Sequence, residues 1–133
     1  MRIVIITQNE PFLLKDNLEY LFNILPKNFL VVGCIVSDVS PFGKKESFFQ
    51  KALKTLNIFG LKFFIFYSIK FIYSKIMKES VKSLLRRKKI KEITLNNSIN
   101  SNASLNKIKT LNPDLLVSIL GNQIFKKPLL NIP

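Results

Sequence analysis

The chain's reactive side chains are few, and their types bound the chemistry open to it. Eight carboxylates, one thiol and no imidazole stand among its 133 residues. Without histidine there is no imidazole base, no histidine-activated nucleophile and no histidine metal ligand. The single cysteine, Cys34, cannot by itself build a cysteine-rich zinc or iron–sulfur site. The carboxylates Glu10, Asp16, Glu19, Asp38, Glu46, Glu79, Glu92 and Asp114 are spread along the chain. Asp38 closes an apolar run, where it has reach to a ribose hydroxyl but serves equally well as a solvated loop residue. Asp114 follows Asn112-Pro113 and reads as part of a turn. No G-x-G-x-x-G follows the first apolar run, and no G-x-x-x-x-G-K-[ST] occurs, so both glycine-rich phosphate cradles are missing. What remains for recognition is polar: Thr7-Gln8-Asn9-Glu10 and Gly121-Asn122-Gln123, each directly after a β-branched or aliphatic run.

Those loops need strands to hold them. "RIVIIT" at the amino terminus, "FLVVGCIVSD" over Phe29–Asp38 and Leu115 to Leu120 are short, continuous apolar runs, the pattern of strands buried on both faces of a parallel sheet. "KEITL" predicts a weaker third strand. Between them, Leu14, Leu18, Leu21 and Leu25 recur at helical spacing, with Pro11 placed near the helix start and Pro26 ending it. A second helix is predicted from about Glu46 to Asn57 with Phe49, Leu53 and Leu56 inward. Ile65, Ile69, Ile72 and Ile76, flanked by Phe66 and Tyr73, form another stripe, expected to face the core or a partner. Phe64 and Phe71 lie on its other side, where contact with a membrane surface is the alternative. Helices are also expected from about Ser80 to Lys89 and around Leu105, Ile108 and Leu111, with "NNSINSNAS" supplying N-caps. Strands alternating with helices predict an α/β fold: a Rossmann-like open parallel sheet with helices on both faces, truncated after the fourth strand and interrupted by a helical insertion before the third. In such sheets ligands bind beyond the carboxyl ends of the strands, where both polar loops fall.

Composition narrows the partners less sharply. Apolar residues at 47% and charged residues at 22% fit one globular domain. Lys, Asn, Ile and Phe are all abundant, a bias that AT-rich coding alone produces. The net charge of +13 suits a polyanion, an anionic membrane or an anionic substrate. Its one dense run is Arg86-Arg87-Lys88-Lys89 with Lys91, a pattern that also fits a solvated helix end. Cys34 has no disulfide partner and no signal-peptide pattern opens the chain, so a reducing, cytoplasmic setting is expected. The apolar stretch from Ile58 to Met77 carries Lys62, Lys70 and Lys75. Each would cost about 2.5–3.5 kcal/mol at a bilayer centre, so the stretch is not expected to span.

The tail "LNPDLLVSILGNQIFKKPLLNIP" resembles the segment of folate-dependent formyltransferases that leads into their active site. That family includes methionyl-tRNA formyltransferase, glycinamide ribonucleotide formyltransferase and the amino-sugar nucleotide formyltransferases. "MRIVIITQNEPFLLKDNLEYLF" is similar to the first strand and helix of a subgroup with a long aromatic insertion; residues 58–90 resemble that insertion, and "VKSLLRRKKIKEITLNNSINS" the passage through the third strand. The resemblance implies that residues 1–133 are an incomplete N-terminal domain of such an enzyme, and that the formyl donor is 10-formyltetrahydrofolate. It implies a pterin-holding loop of Asn122, Gln123, Ile124 and Phe125, acting largely through main-chain groups. Ile124 and Phe125 suit an apolar wall there, and equally well a cap over the hydrophobic core. The loop Thr7, Gln8, Asn9 and Glu10 would face the amine acceptor, on methionyl-tRNA or an amino-sugar nucleotide, although Glu10-Pro11 serves equally as a helix start. The family's catalytic Asn, His and Asp, expected just downstream, have no match in these residues. The chain is therefore expected to be inactive alone, with the remainder of the same enzyme as its missing partner. It is also expected to expose Leu115 to Leu120 as an aggregation-prone edge. The alternative is a small basic module that binds nucleic acid or an anionic membrane through residues 86–91 and the aromatic helix.

Overall fold

Continuous β-branched runs have no polar face to offer solvent, and here they become the centre of a sheet covered on both sides. The computed structural model describes residues 1–10, 12–37, 47–77, 80–121 and 123–133. Pro11, Asp38, Glu46, Glu79 and Asn122, singled out above, lie outside the described residues. In chain order the elements are β1 (Arg2–Gln8), α1 (Leu14–Ile24), β2 (Leu30–Ser37), α2 (Phe48–Met77), α3 (Val81–Arg87), β3 (Glu92–Ile93), α4 (Asn102–Lys109), β4 (Leu115–Ile119) and α5 (Lys127–Leu130). The four strands are parallel, in the order β3-β2-β1-β4.

Alternation along β1 sends its side chains to two separate cores. Ile3 and Ile5 pack with Leu14 and Leu18 of α1 and with Val81, Leu84 and Leu85 of α3. Val4 and Ile6 pack with Ile93, with Leu105 and Ile108 of α4, and with Leu129 of α5. Helices thus cover both faces, and each fully buried Leu or Ile contributes roughly 1.5–3 kcal/mol relative to exposure. The α1 stripe lies as its spacing predicts: Leu14 and Leu18 are buried, while Leu21 and Leu25 pack at the margin of the same cluster. Ser80 and Ser101 cap α3 and α4 by accepting the N–H groups of Ser83 and Ser104. The third strand shrinks from five expected residues to Glu92–Ile93. Asp114, expected only to shape the turn into β4, reaches across to β1: its carboxylate accepts the Arg2 N–H at 2.6 Å and its own N–H donates to the Arg2 carbonyl at 2.8 Å. The Arg2 guanidinium meanwhile donates to the carbonyls of Leu111 and Asn112 beyond α4. This ties β1 and β4 at their amino ends, opposite the loops of interest.

The aromatic segment departs most from expectation. The break expected near Asn57 falls three residues later: α2, Phe48–Met77, is two helical arms joined at Gly60, which has φ 79° and ψ 172°. There the chain folds back on itself. Phe48 and Phe71, at opposite ends of α2, bring their rings to 6.3 Å; a straight helix would hold them about 35 Å apart. Phe49, at 78% exposure, and Leu53 face solvent rather than the core. Of the two surfaces expected for the isoleucine stripe, the core is not the one it faces. Ile65, Ile69, Ile72 and Ile76 point outward, while Phe64, Ser68, Phe71 and Ser74 turn toward the protein. By length and composition this stretch is sufficient to cross a membrane, and its apolar window is not buried within the protein. α3, at the end of the 58–90 stretch, is an integral part of the core rather than an appendage.

Part of the basic run is spent on packing α3 against α1. Arg87 donates to Glu19 at 2.8 Å and Lys88 to Asn23 at 2.7 Å. A hydrogen bond from Lys15, then one from Arg87, holds the Glu19 carboxyl at about 2, below its ordinary 4.5. A depressed carboxylate favours the folded chain above pH 4.5, and this contribution is lost as pH falls toward 2. The group is exposed, so the effect is modest and screened by salt. Denaturation midpoints measured across that window should fall less steeply for Glu19→Gln than for the unsubstituted chain. Identical slopes would show that the Glu19 contacts do not bias folding.

Candidate functional site

Parallel pairing sets the carboxyl ends of all four strands at one edge. β1 pairs with β4 through Ile3↔Leu115 to Thr7↔Ile119, so the loops that leave them emerge side by side. A cleft of about 1450 Å³ opens at this edge. Its floor includes Ile6, Ile35 and Ser37 at strand ends, one wall is the 94–100 connection, and the inward face of α2 forms the roof.

Of the residues expected to form the site, Asn9, Glu10, Gln123, Ile124 and Phe125 line this cleft. Thr7 and Gln8 do not. Thr7 is fully buried on β1, and among the described residues its hydroxyl is the buried side-chain polar atom with no hydrogen-bond partner. Asn122 lies outside the described residues. Glu10 serves as the helix start: its carboxylate accepts the N–H groups of Phe12, Leu13 and Leu14 at 2.8–3.0 Å. Those donors have no intrahelical partner, and an anion is favoured beside them. Glu10 nonetheless keeps an electrostatic influence on the cleft. Burial first, and the Glu10 charge second, raise the Tyr67 phenol above its ordinary value.

Ile124 and Phe125 divide the two roles open to them. Phe125 packs against the cluster of Val4, Ile6 and Leu129, whereas Ile124 is 82% exposed and free to meet a ligand. Their loop is stapled to the 94–100 wall by residues that the sequence reading assigned only to capping. The Asn100 amide donates to the Ile124 carbonyl at 2.8 Å and accepts the Lys126 N–H at 2.9 Å. Gln123 accepts the Ile99 N–H at 3.1 Å. Asn100 thus occupies some of the loop's main-chain groups and fixes the direction of the rest. Gly121 begins this loop, and a Cβ there would meet the Ser118 hydroxyl. Leu120 just before it has φ 55°, the left-handed region, so the chain turns sharply out of β4.

The lining is more basic than acidic: Lys15, Lys51, Lys75, Lys82 and Lys126 against Glu10 and Glu92. Lys82 pairs with Glu92 at 3.2 Å and Lys15 with Glu19 at 2.6 Å. An anionic ligand with an apolar or aromatic body suits such a lining. Cys34 takes no part. Burial, then the Glu92 charge, pushes its thiol up to about 12, which leaves it an inert core residue. Among the described residues no group of three or more His, Cys, Asp or Glu side chains converges as a metal site would. No protein-family model matches the chain, and no curated protein matches it.

Proposed function

We propose that this chain is the donor-binding part of a folate-dependent formyltransferase of Rossmann-like fold, and that the cleft at the sheet's carboxyl edge receives 10-formyltetrahydrofolate. One observation carries the reading: the loops after β1 and β4, which the resemblance assigned to acceptor and donor, line a single cleft. The residues present are compatible with such a donor. The exposed Ile124 offers an apolar surface to a pterin ring, the Asn100 staple makes the loop rigid, and the lysines suit the donor's glutamate carboxylates. The amine acceptor would approach from the Asn9–Glu10 side, carried on tRNA or on a sugar nucleotide.

Formyl transfer needs donors aimed at the tetrahedral oxyanion and a group to move the amine's proton. The family uses Asn, His and Asp for this, and the 133 residues contain no His. Binding without turnover is therefore the expected behaviour of this chain. Titration with a stable formylated tetrahydrofolate should give saturable binding that persists at high salt, weakened roughly tenfold in Ile124→Asp by loss of the apolar contact. Lack of saturation, or an Ile124→Asp variant that binds equally well, would remove the reading. Nucleic-acid binding through the 86–91 run, the first form of the basic-module reading, is less favoured because Arg87 and Lys88 are engaged with α1. Nucleic-acid affinity that collapses with salt would restore it.

A further inference from the structure

α2 presents a surface that the cleft touches only at Ile72. In its second arm, residues 61–77, Leu61, Ile65, Ile69, Ile72 and Ile76 are all at least half exposed, with Phe66 and Tyr73 beside them. At 3.6 residues per turn the five aliphatic side chains fall within an arc of about 80°, which the two aromatics extend to about 140°. Lys75 and Lys70 stand about 40° beyond its two borders, with their ammonium groups resting over the inward Phe71 and Phe12 rings at 5.5 and 5.4 Å. Lys62 lies within the arc at its amino-terminal end, with a stem long enough to lift its ammonium clear of an apolar medium. Along all 30 residues of α2 there are five lysines and no carboxylate.

We propose that the outward face of α2 docks the protein on the surface of an anionic lipid bilayer. The apolar stripe would enter the boundary between headgroups and acyl chains, where Lys62, with Lys70 and Lys75 swung off the Phe12 and Phe71 rings, would meet lipid phosphates. A second copy of the chain is a poor occupant, because it would set Lys62, Lys70 and Lys75 against the same three lysines with no carboxylate on either helix. Nucleic acid offers phosphates but no apolar surface for the isoleucines. Spanning does not fit either. The second arm, folded back at Gly60, is about 25 Å long, short of the roughly 30 Å hydrocarbon core. Its opposite face is also held to the protein: Phe12 packs edge-on against Tyr67 at 5.2 Å and Phe71 at 6.5 Å. This inference does not rest on the folate reading.

The test is co-sedimentation of the full chain with vesicles of phosphatidylcholine alone or mixed with phosphatidylglycerol. Partition should favour the anionic vesicles, by roughly fivefold for each lysine that reaches the headgroups. About 1 M salt, where screening acts within about 3 Å, should release most of the protein. Ile69→Asp with Ile76→Asp should weaken partition at least roughly tenfold, because two apolar anchors are lost and two like charges meet the lipid. Both positions are exposed, so the circular dichroism spectrum and melting temperature of this double variant should be unchanged. Equal partition to neutral vesicles, or a double variant that binds as well, would overturn the proposal. So would retention through salt and alkaline washes, as for a spanning helix. Self-association without lipid that the double variant abolishes would assign the stripe to a second copy instead.

Discussion

Gly33→Val is expected to destabilise the fold by about 1–3 kcal/mol, the usual cost of overpacking, and to lower the melting temperature by roughly 4 °C per kcal/mol. The cause is local and geometric. Along β1 and β2 the register slips between Ile3↔Val31 and Val4↔Gly33, so Val32 is an extra residue and Gly33 is drawn close beneath β3. A Cβ at Gly33 would run into the Ile93 Cδ1 atom, with Ile93 Cγ1 at 3.3 Å and Leu111 Cδ1 at 3.4 Å. Ile93 has little room to withdraw. β3 is two residues long, held by the pairs Cys34↔Glu92 and Ile35↔Ile93 and by the Cys34 N–H donating to Lys91 at 2.9 Å. Displacing its one buried side chain therefore loosens the strand and the 94–100 wall that follows. Gly33→Ala should show part of the loss and Gly33→Val the whole, with binding of the proposed folate donor weakened in parallel. An unchanged denaturation midpoint in Gly33→Val would mean that β3 can slide aside without cost.

The sheet was legible because its signals have one meaning. A run such as Arg2–Gln8 with five successive buried residues admits no amphipathic alternative, and the Leu14/Leu18 spacing points to one face only. α2 was not legible for the converse reason. Its residues are apolar nearly all round, so periodicity identifies a helix without choosing its inward side. The side that turns inward carries Ser68 and Ser74 between Phe64 and Phe71, where small side chains let the arm approach Phe12 and the first arm. Hydrophobicity alone ranks the isoleucine stripe higher, and leaves open whether it faces the core or a partner. At the site, the strand-end rule located the loops correctly. It could not foresee that Thr7 would fall inside the sheet, or that Asn100 would brace the loop after β4; of the two roles left open for Glu10, the helix start is the one its carboxylate takes. Asn in an Asn- and Ser-rich connection reads as generic turn chemistry, and only the proximity of β4's loop gives it a specific partner.

Gly60→Ala should open α2. At φ 79° and ψ 172° Gly60 occupies a region that residues with a Cβ adopt only at a cost of about 1–3 kcal/mol. No other atom lies within 4 Å of the position a Cβ would take, so the conflict is in the backbone alone. Alanine is also the residue most favourable to an uninterrupted helix. Both effects push α2 from a folded-back pair of arms toward a straight rod. The aromatic contacts that oppose this, Phe48 on Phe71 at 6.3 Å among them, lie at the open end of the fold-back. The core beneath is built by other helices and should remain folded. Spin labels placed by Phe49→Cys and Ile72→Cys should be close together in the chain with Gly60. With Gly60→Ala a population should appear near the 35 Å or so of a continuous helix. Cys34 need not be removed, since its buried thiol, pushed up to about 12, will not compete for label. The cleft loses its roof in the open form, so donor binding should weaken while the outward stripe keeps its access to lipid. Labels that stay close in Gly60→Ala would show that arm-to-arm packing, rather than the glycine, sets the fold-back.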